Sequence, residues 1–178
     1  MTVKEILLNT CLMLGLDASI ASEPSSDEKS RDLLLSALNF VLFEISEQIP
    51  TYYKETLAST DKVIPYTAFT KHLSTIKKVQ KNGVKAKYLR GERGLIVEID
   101  GAYEIEYAYT PDNVSIDDEV VLPPSVSIRT VSYGVCGEYA LYVGRYDECE
   151  SYDARFINAL ANAKRSGVRE WRGGKSAL

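Results

Sequence analysis

The sequence predicts a mainly α protein with an inserted β region: an antiparallel bundle of about four helices, interrupted by an antiparallel β-meander. Three observations lead there. Apolar residues recur at three- and four-residue steps in both terminal parts of the 178-residue chain, which is the period of a helix with one buried face. Between residues 51 and 110 the period shortens to two, as in strands with one buried and one wet face. The stretch Leu122–Ser166 reads as two helices joined by a short turn at Gly144, and such a hairpin cannot bury its apolar faces alone.

The elements follow in order. In the first helix, 2–15, Val3, Ile6, Leu7, Thr10 and Leu14 make a core stripe that Gly15 closes. Ser25 and Glu28 have capping-box spacing and open a second helix, 26–49, in which each side chain satisfies an orphan amide near the other. Pro50 stops it. Its stripe is Leu34, Leu38, Val41, Ile45 and Ile49, with Leu33 and Phe40 on the opposite side. A helix apolar on two sides is expected at the centre of the bundle.

The β insertion, 51–110, contains Asn82-Gly83, the strongest hairpin signal in the chain, because a type I′ turn needs positive φ at both central residues. It implies strands Ile76–Lys81 and Val84–Leu89. Pro65 marks an edge. Turns at Gly91–Gly94 and Asp100-Gly101 frame Leu95, Val97 and Ile99, then Tyr103, Ile105, Tyr107 and Tyr109, whose wet face carries Glu104 and Glu106. The third helix, 125–143, starts after Pro123-Pro124, since proline is tolerated only at a helix start. The fourth, 147–165, opens on Asp147 and Glu148, acids at the positive end of the dipole. Its stripe is Cys149, Tyr152, Phe156, Ala159, Leu160 and Ala163, with Asp153 facing away. Residues 1–166 thus read as a single domain, and 167–178, with three glycines and many charges, as a flexible tail.

Composition bounds the chemistry. The net charge of −4 argues against a general nucleic-acid-binding surface, which needs a basic field. No apolar run is long enough to span a bilayer. Cys11, Cys136 and Cys149 are widely spaced and fit buried free thiols rather than a disulfide or C-x-x-C metal pair. His72 is the only histidine, and it reads as a surface residue rather than a general base. No phosphate-binding glycine motif is present, and Asp112, Asp117, Asp118 and Glu119 lack calcium-loop spacing. The tyrosine strand is a possible stacking platform for single-stranded nucleic acid, but its two glutamates repel phosphate. The sequence therefore assigns no catalytic, cofactor-binding or metal-binding residue and predicts a protein that is not an enzyme.

The helix ending near Gly15, the leucine-rich helix ending in Ile49-Pro50, the segment DGAYEIEYAYTPD, and LPPSV followed by YGVCGEYALYVGRYDECESYDARFINAL together resemble one family. It is the head–tail connector, or adaptor, proteins of tailed bacteriophages, of the tail accessory type. The resemblance covers most of residues 2–165 and is strongest over Tyr133–Tyr146, with Glu150, Tyr152, Asp153 and Phe156 following. It implies a structural protein of the virion neck, made in the host cytoplasm. Such proteins form a ring, commonly of twelve copies, beneath the portal protein, and a downstream tail or nozzle protein docks on that ring. Viral DNA passes through the channel without sequence-specific binding, and no membrane is involved. It further implies that the carboxy-terminal segment docks on the portal, which makes Arg169, Trp171, Arg172 and Lys175 the expected docking residues. The alternatives are a nucleic-acid-binding accessory protein and a cell-wall-degrading virion enzyme.

Overall fold

The computed structural model describes residues 1–22 and 27–172, and of 167–172 the backbone alone. Four α-helices and seven strands occur among these residues: α1 Val3–Leu14, α2 Glu28–Gln48, β1 Tyr52–Ser59, β2 Val63–Pro65, β3 Leu73–Lys81, β4 Val84–Lys85, β5 Tyr88–Arg90, β6 Gly94–Val97, β7 Gly101–Tyr109, α3 Ile128–Tyr142 and α4 Tyr146–Arg172. They fall into two compact units, one built from Met1–Ile49 with Asn113–Leu178 and the other from Pro50–Asp112.

In the helical unit each capped start has a specific donor and acceptor. Thr2 and Glu5 form a reciprocal capping box on α1, Thr2 N donating to Glu5 Oε2 at 2.8 Å and Glu5 N to Thr2 Oγ1 at 3.2 Å. The box expected at Ser25 and Glu28 is not the one that caps α2. Ser25 lies outside the described residues, and Asp27 is the cap, its carboxylate accepting from Ser30 N at 3.2 Å. Ser127 caps α3 in the same way. Gly144 follows α3 with φ +77°, the left-handed conformation in which glycine carries no side-chain penalty.

The centre of this unit is α3 rather than α2. It packs against α1, α2 and α4, and the reason is the size of its side chains. Ser132, Gly134, Cys136, Gly137 and Ala140 are all buried, so three helices can approach its axis closely. A Cβ on Gly134 would lie 2.9 Å from Val41 Cγ1 and 3.1 Å from Phe156 Cδ2, tighter than packed carbon atoms tolerate. A Cβ on Gly137 would overlap the Asp153 carboxylate. Asp153 therefore fits against α3 instead of facing away. Meanwhile Phe40, on the second apolar side of α2, is exposed to solvent. Leu34, Leu38, Val41 and Ile45 are buried as the spacing predicts. Helix α4 continues past the expected end at 165 as far as Arg172, and Ala163 is the last buried residue among those whose side chains are described.

The expectation of a mainly α bundle with an inserted antiparallel β-meander is wrong. The β unit is large: its seven strands form two antiparallel sheets, one of four strands and one of three. It also has its own core of Ile64, Ile76, Val79, Leu95, Val97, Tyr103, Ile105 and Tyr107. Nor is it a meander. The larger sheet has the order β1-β7-β3-β4 and the smaller β2-β6-β5, so β7 sits between two strands distant in sequence. Turn motifs report only neighbouring pairs, and the long-range partners of β7 are chosen by burial of its tyrosines and Ile105. The Asn82-Gly83 turn is as predicted, with φ of 52° and 77°. The strand expected after it breaks at Ala86-Lys87 into β4 and β5, which belong to different sheets. Pro65 lies on the edge strand β2, where its missing N–H costs no ladder bond.

Candidate functional site

The β unit contains a cleft of about 610 Å³ bordered by Tyr66, Phe69, Lys71, His72, Arg90 and Asp112. Its wall is held by one hydrogen-bond network. Buried Tyr107 donates its hydroxyl to Glu55 Oε1 at 2.5 Å and accepts from Lys71 N at 3.2 Å. Thr70 donates to the same carboxylate from its N–H at 3.1 Å and its hydroxyl at 2.6 Å. Phe69 meets the Tyr107 ring edge-on at 5.0 Å, a favourable aromatic geometry. Burial raises the Glu55 pKa, but the hydrogen bonds from Thr70 and Tyr107 outweigh it and leave the carboxyl below its usual range. Burial, and then the bond to Glu55, push the Tyr107 phenol well up. Glu55 is thus a fixed acceptor and Tyr107 a fixed donor near neutral pH, which ties 69–71 to the sheet and moves no proton. His72 lies on the rim, 82% exposed, with Nε2 3.5 Å from Asp112.

The helical unit presents a different surface. The turn between α3 and α4 exposes Leu141, Tyr142, Val143 and Tyr146, the last by 66%. Phe40 and Phe43 on α2 and Ile157 on α4 are exposed as well. Arg145 anchors the start of α4 by donating from Nε to Glu148 Oε1 at 2.8 Å and from Nη2 to Oε2 at 2.5 Å, a bidentate pairing. Glu44 and Glu138 have raised pKa values, through burial first and then through the negative charge of Asp153. Burial likewise pushes the Cys136 thiol up to about 12, so it is no nucleophile. Cys11 and Cys136 are buried and Cys149 is half-buried, all three free.

Of the expected docking residues, Arg169, Trp171 and Arg172 are carried on the final turns of α4, and Lys175 lies outside the described residues. The acidic connection is dispersed rather than convergent. Asp112 faces Lys71 and His72, Asp117 pairs with Lys4 at 2.6 Å, and Asp118 Oδ2 accepts from Ser115 N at 2.7 Å. Among the described residues no group of three or more acids, histidines or cysteines could hold a metal ion, and no helix is long and apolar enough to cross a membrane. Sequence reasoning did not single out the exposed α3–α4 turn. Val143 and Tyr146 flank Gly144 much as Leu14 and Leu16 flank Gly15, yet Leu14 is buried, so the local sequence carried no signal that separates the two turns.

Fold and surface together define an α+β protein of two units, one helical and one β. No protein-family model matches the sequence, and no curated protein matches it either.

Proposed function

We propose that this is a neck protein of a tailed bacteriophage, an adaptor that assembles as a ring beneath the portal and carries a tail or nozzle protein below. The observation that carries the reading is the exposed apolar turn of Leu141, Tyr142, Val143 and Tyr146. It lies within the stretch, Tyr133–Tyr146, whose sequence most resembles head–tail connectors. Apolar residues exposed together at one helix turn suit a subunit that meets copies of itself or a second ring. The charge of the chain, −4, favours passage of DNA without tight retention when repeated around a channel.

The carboxy-terminal segment is the proposed portal anchor. Helix α4 reaches Arg172, so part of the segment is presented as helix, which lowers the ordering entropy of docking. Trp171, with Arg169, Arg172 and Lys175 nearby in sequence, has the composition of an interface hot spot. The test is capture of the full chain on purified portal rings from the same genome. Removing 167–178 should abolish capture while the melting temperature stays nearly constant, because no described buried residue lies beyond Ala163. Trp171→Ala should weaken capture by about 2 kcal/mol or more. Undiminished capture of the truncated chain would move the anchor onto the helical unit. No capture of the full chain would end the neck reading.

A further inference from the structure

The net charge of the chain conceals a segregation. Residues 71–93 of the β unit hold six lysines and two arginines against a single acid, Glu92. Three of the lysines are engaged inside the unit. Lys71 faces Asp112 at 3.7 Å, Lys77 pairs with Glu106 at 2.6 Å, and Lys81 donates to the carbonyls of Asp100 and Ile99. The side chains of Lys78, Lys85, Lys87 and Arg93 make no hydrogen bond or ion pair among the described residues, and Arg90 gives only Nη2, to the Ser74 carbonyl at 3.1 Å.

The sheet register gathers these charges. Gln80 is directly opposite Lys85 across the β3–β4 hairpin. Lys78 is two residues before Gln80 and shares its face, so Lys78 and Lys85 are diagonal neighbours, about 7–8 Å apart at the backbone. The same face carries Glu104 and Glu106, the acids that make the strand repel phosphate when read from sequence. Both are neutralised, Glu104 by Lys54 at 3.0 Å and Glu106 by Lys77. Past β4, Lys85 and Lys87 border a second cleft of about 740 Å³ with Tyr88 and Leu89, and Glu98 is the one acid on it. From Lys85 to Arg90 the chain extends by at most about 16 Å, the axial span of about five phosphates on one DNA strand.

We propose that the β3–β4–β5 edge is a sequence-independent contact surface for the phosphate backbone of duplex DNA. Two features favour a nucleic acid over an acidic protein. Lysine is depleted at protein–protein interfaces, and a lysine ammonium meets phosphate as a point charge without demanding one geometry. Protection of sheet edges accounts for Lys85 on β4 and Lys87 beside β5. Lys78 lies before Gln80 and Lys81, the residues that β4 pairs with, so edge protection covers it as well, but that device does not by itself gather Lys78 and Lys85 on one face. The surface stands on the β unit alone and does not depend on the neck reading.

Fluorescence anisotropy of the full chain against a labelled random-sequence duplex of about 30 base pairs tests it, at 50 and 200 mM salt. Binding is expected at a Kd on the order of 100 µM in the lower salt, falling roughly 100-fold in the higher, a log–log slope of about −3 to −4 for four free cations. The triple variant Lys78→Gln, Lys85→Gln, Lys87→Gln should reduce the slope by nearly three and lose most of the binding. A matched variant of the helical unit, Lys4→Gln with Lys29→Gln and Arg129→Gln, should leave both unchanged. Circular dichroism confirms that each variant is folded. No binding by the wild-type chain, an unaltered slope in the first triple variant, or tighter binding to polyglutamate than to duplex would each overturn the proposal. Portal capture is a separate measurement, so failure of one reading is distinguishable from failure of the other.

Discussion

Gly134→Ala is the most direct test of why α3 is the centre of the helical unit. Two effects oppose each other. In an exposed helix, replacing glycine with alanine stabilises by about 1 kcal/mol, because glycine loses more backbone freedom on folding. Here the new methyl would meet Val41 Cγ1 at 2.9 Å, Val41 Cγ2 at 3.0 Å and Phe156 Cδ2 at 3.1 Å. Val41 and Phe156 are themselves buried at 0% and 4% exposure, so neither can swing into solvent. Overpacking of that kind costs about 1–3 kcal/mol, and with contacts on both flanks the upper half applies. The expected net loss is about 1–2 kcal/mol, a fall in melting temperature of roughly 2–8 °C for a chain of this size. Thermal unfolding by circular dichroism reads it, and a double-mutant cycle identifies the cause. Val41→Ala opens the space the methyl needs, so the Gly134→Ala penalty should shrink or change sign in that background. A higher melting temperature for Gly134→Ala alone, or strict additivity in the cycle, would refute the close-packing account of α3.

Burial and charge elsewhere in the fold lead to further outcomes. Leu38 is fully buried, and Leu38→Ala should cost about 2–5 kcal/mol by cavity formation; Glu106→Ala, on the half-exposed Lys77 pair, should cost less than about 1 kcal/mol, and equal melting of the two would overturn the burial assignment. Glu138 has a raised pKa in the fold, so in the unfolded chain it ionises more readily, and its unfavourable contribution grows as pH rises through the ordinary carboxyl value of 4.5. Glu138→Gln should therefore raise the melting temperature at pH 7 and leave it unchanged well below pH 4.5. Glu55 carries the opposite sign: its lowered pKa gives stability that is present above 4.5 and lost as pH falls through the lower folded value, so the acid sensitivity of the β unit should diminish in Glu55→Gln. All three thiols have raised pKa values, and labelling with a thiol-reactive dye at pH 8 should be slow for the folded protein and complete only in denaturant, with half-buried Cys149 reacting first.

The sequence made the helices legible and most of the β topology illegible, for physical reasons visible in single residues. Helix ends depend on neighbours along the chain. Gly144 and the acids Asp147 and Glu148 therefore mark the α3–α4 turn without reference to anything distant. The Asn82-Gly83 turn is likewise local. The partners of β7 are not local: Tyr107 pairs with Tyr53 on one side and Ile76 on the other, and nothing within five residues of Tyr107 names either. The position of α3 was hidden in another way. Periodicity weighs large side chains, so it ranked α2 as central. The small buried residues Gly134, Gly137 and Ala140, which let α3 take that place, score as nearly neutral. The proposed docking residues Arg169, Trp171 and Arg172 were legible as composition only, and their backbone lies on the final turns of α4.

Charge shows most sharply what a whole-chain average discards. A value of −4 was read as a reason against contact with nucleic acid, yet it is the sum over two unlike units. Pro50–Asp112 contains ten basic and eight acidic residues, while the remainder contains eleven and seventeen. Screening lengths of about 8–10 Å at ordinary salt are shorter than either unit, so an incoming phosphate senses the nearest cations far more than the distant sum. The sign of the local field at Lys78, Lys85 and Lys87 is decided by which acids lie within that range and whether they are already paired. Glu104 and Glu106 lie on the same sheet face and are paired with Lys54 and Lys77. Breaking those pairs should then act at a distance: Lys54→Gln, which removes a cation but also frees Glu104, should weaken DNA binding more than loss of the exposed Lys62, whose backbone N–H but not its side chain is bonded to Asp100 at 2.6 Å. Equal effects of Lys54→Gln and Lys62→Gln in the anisotropy assay would mean that pairing on that face has no influence on the field the DNA meets.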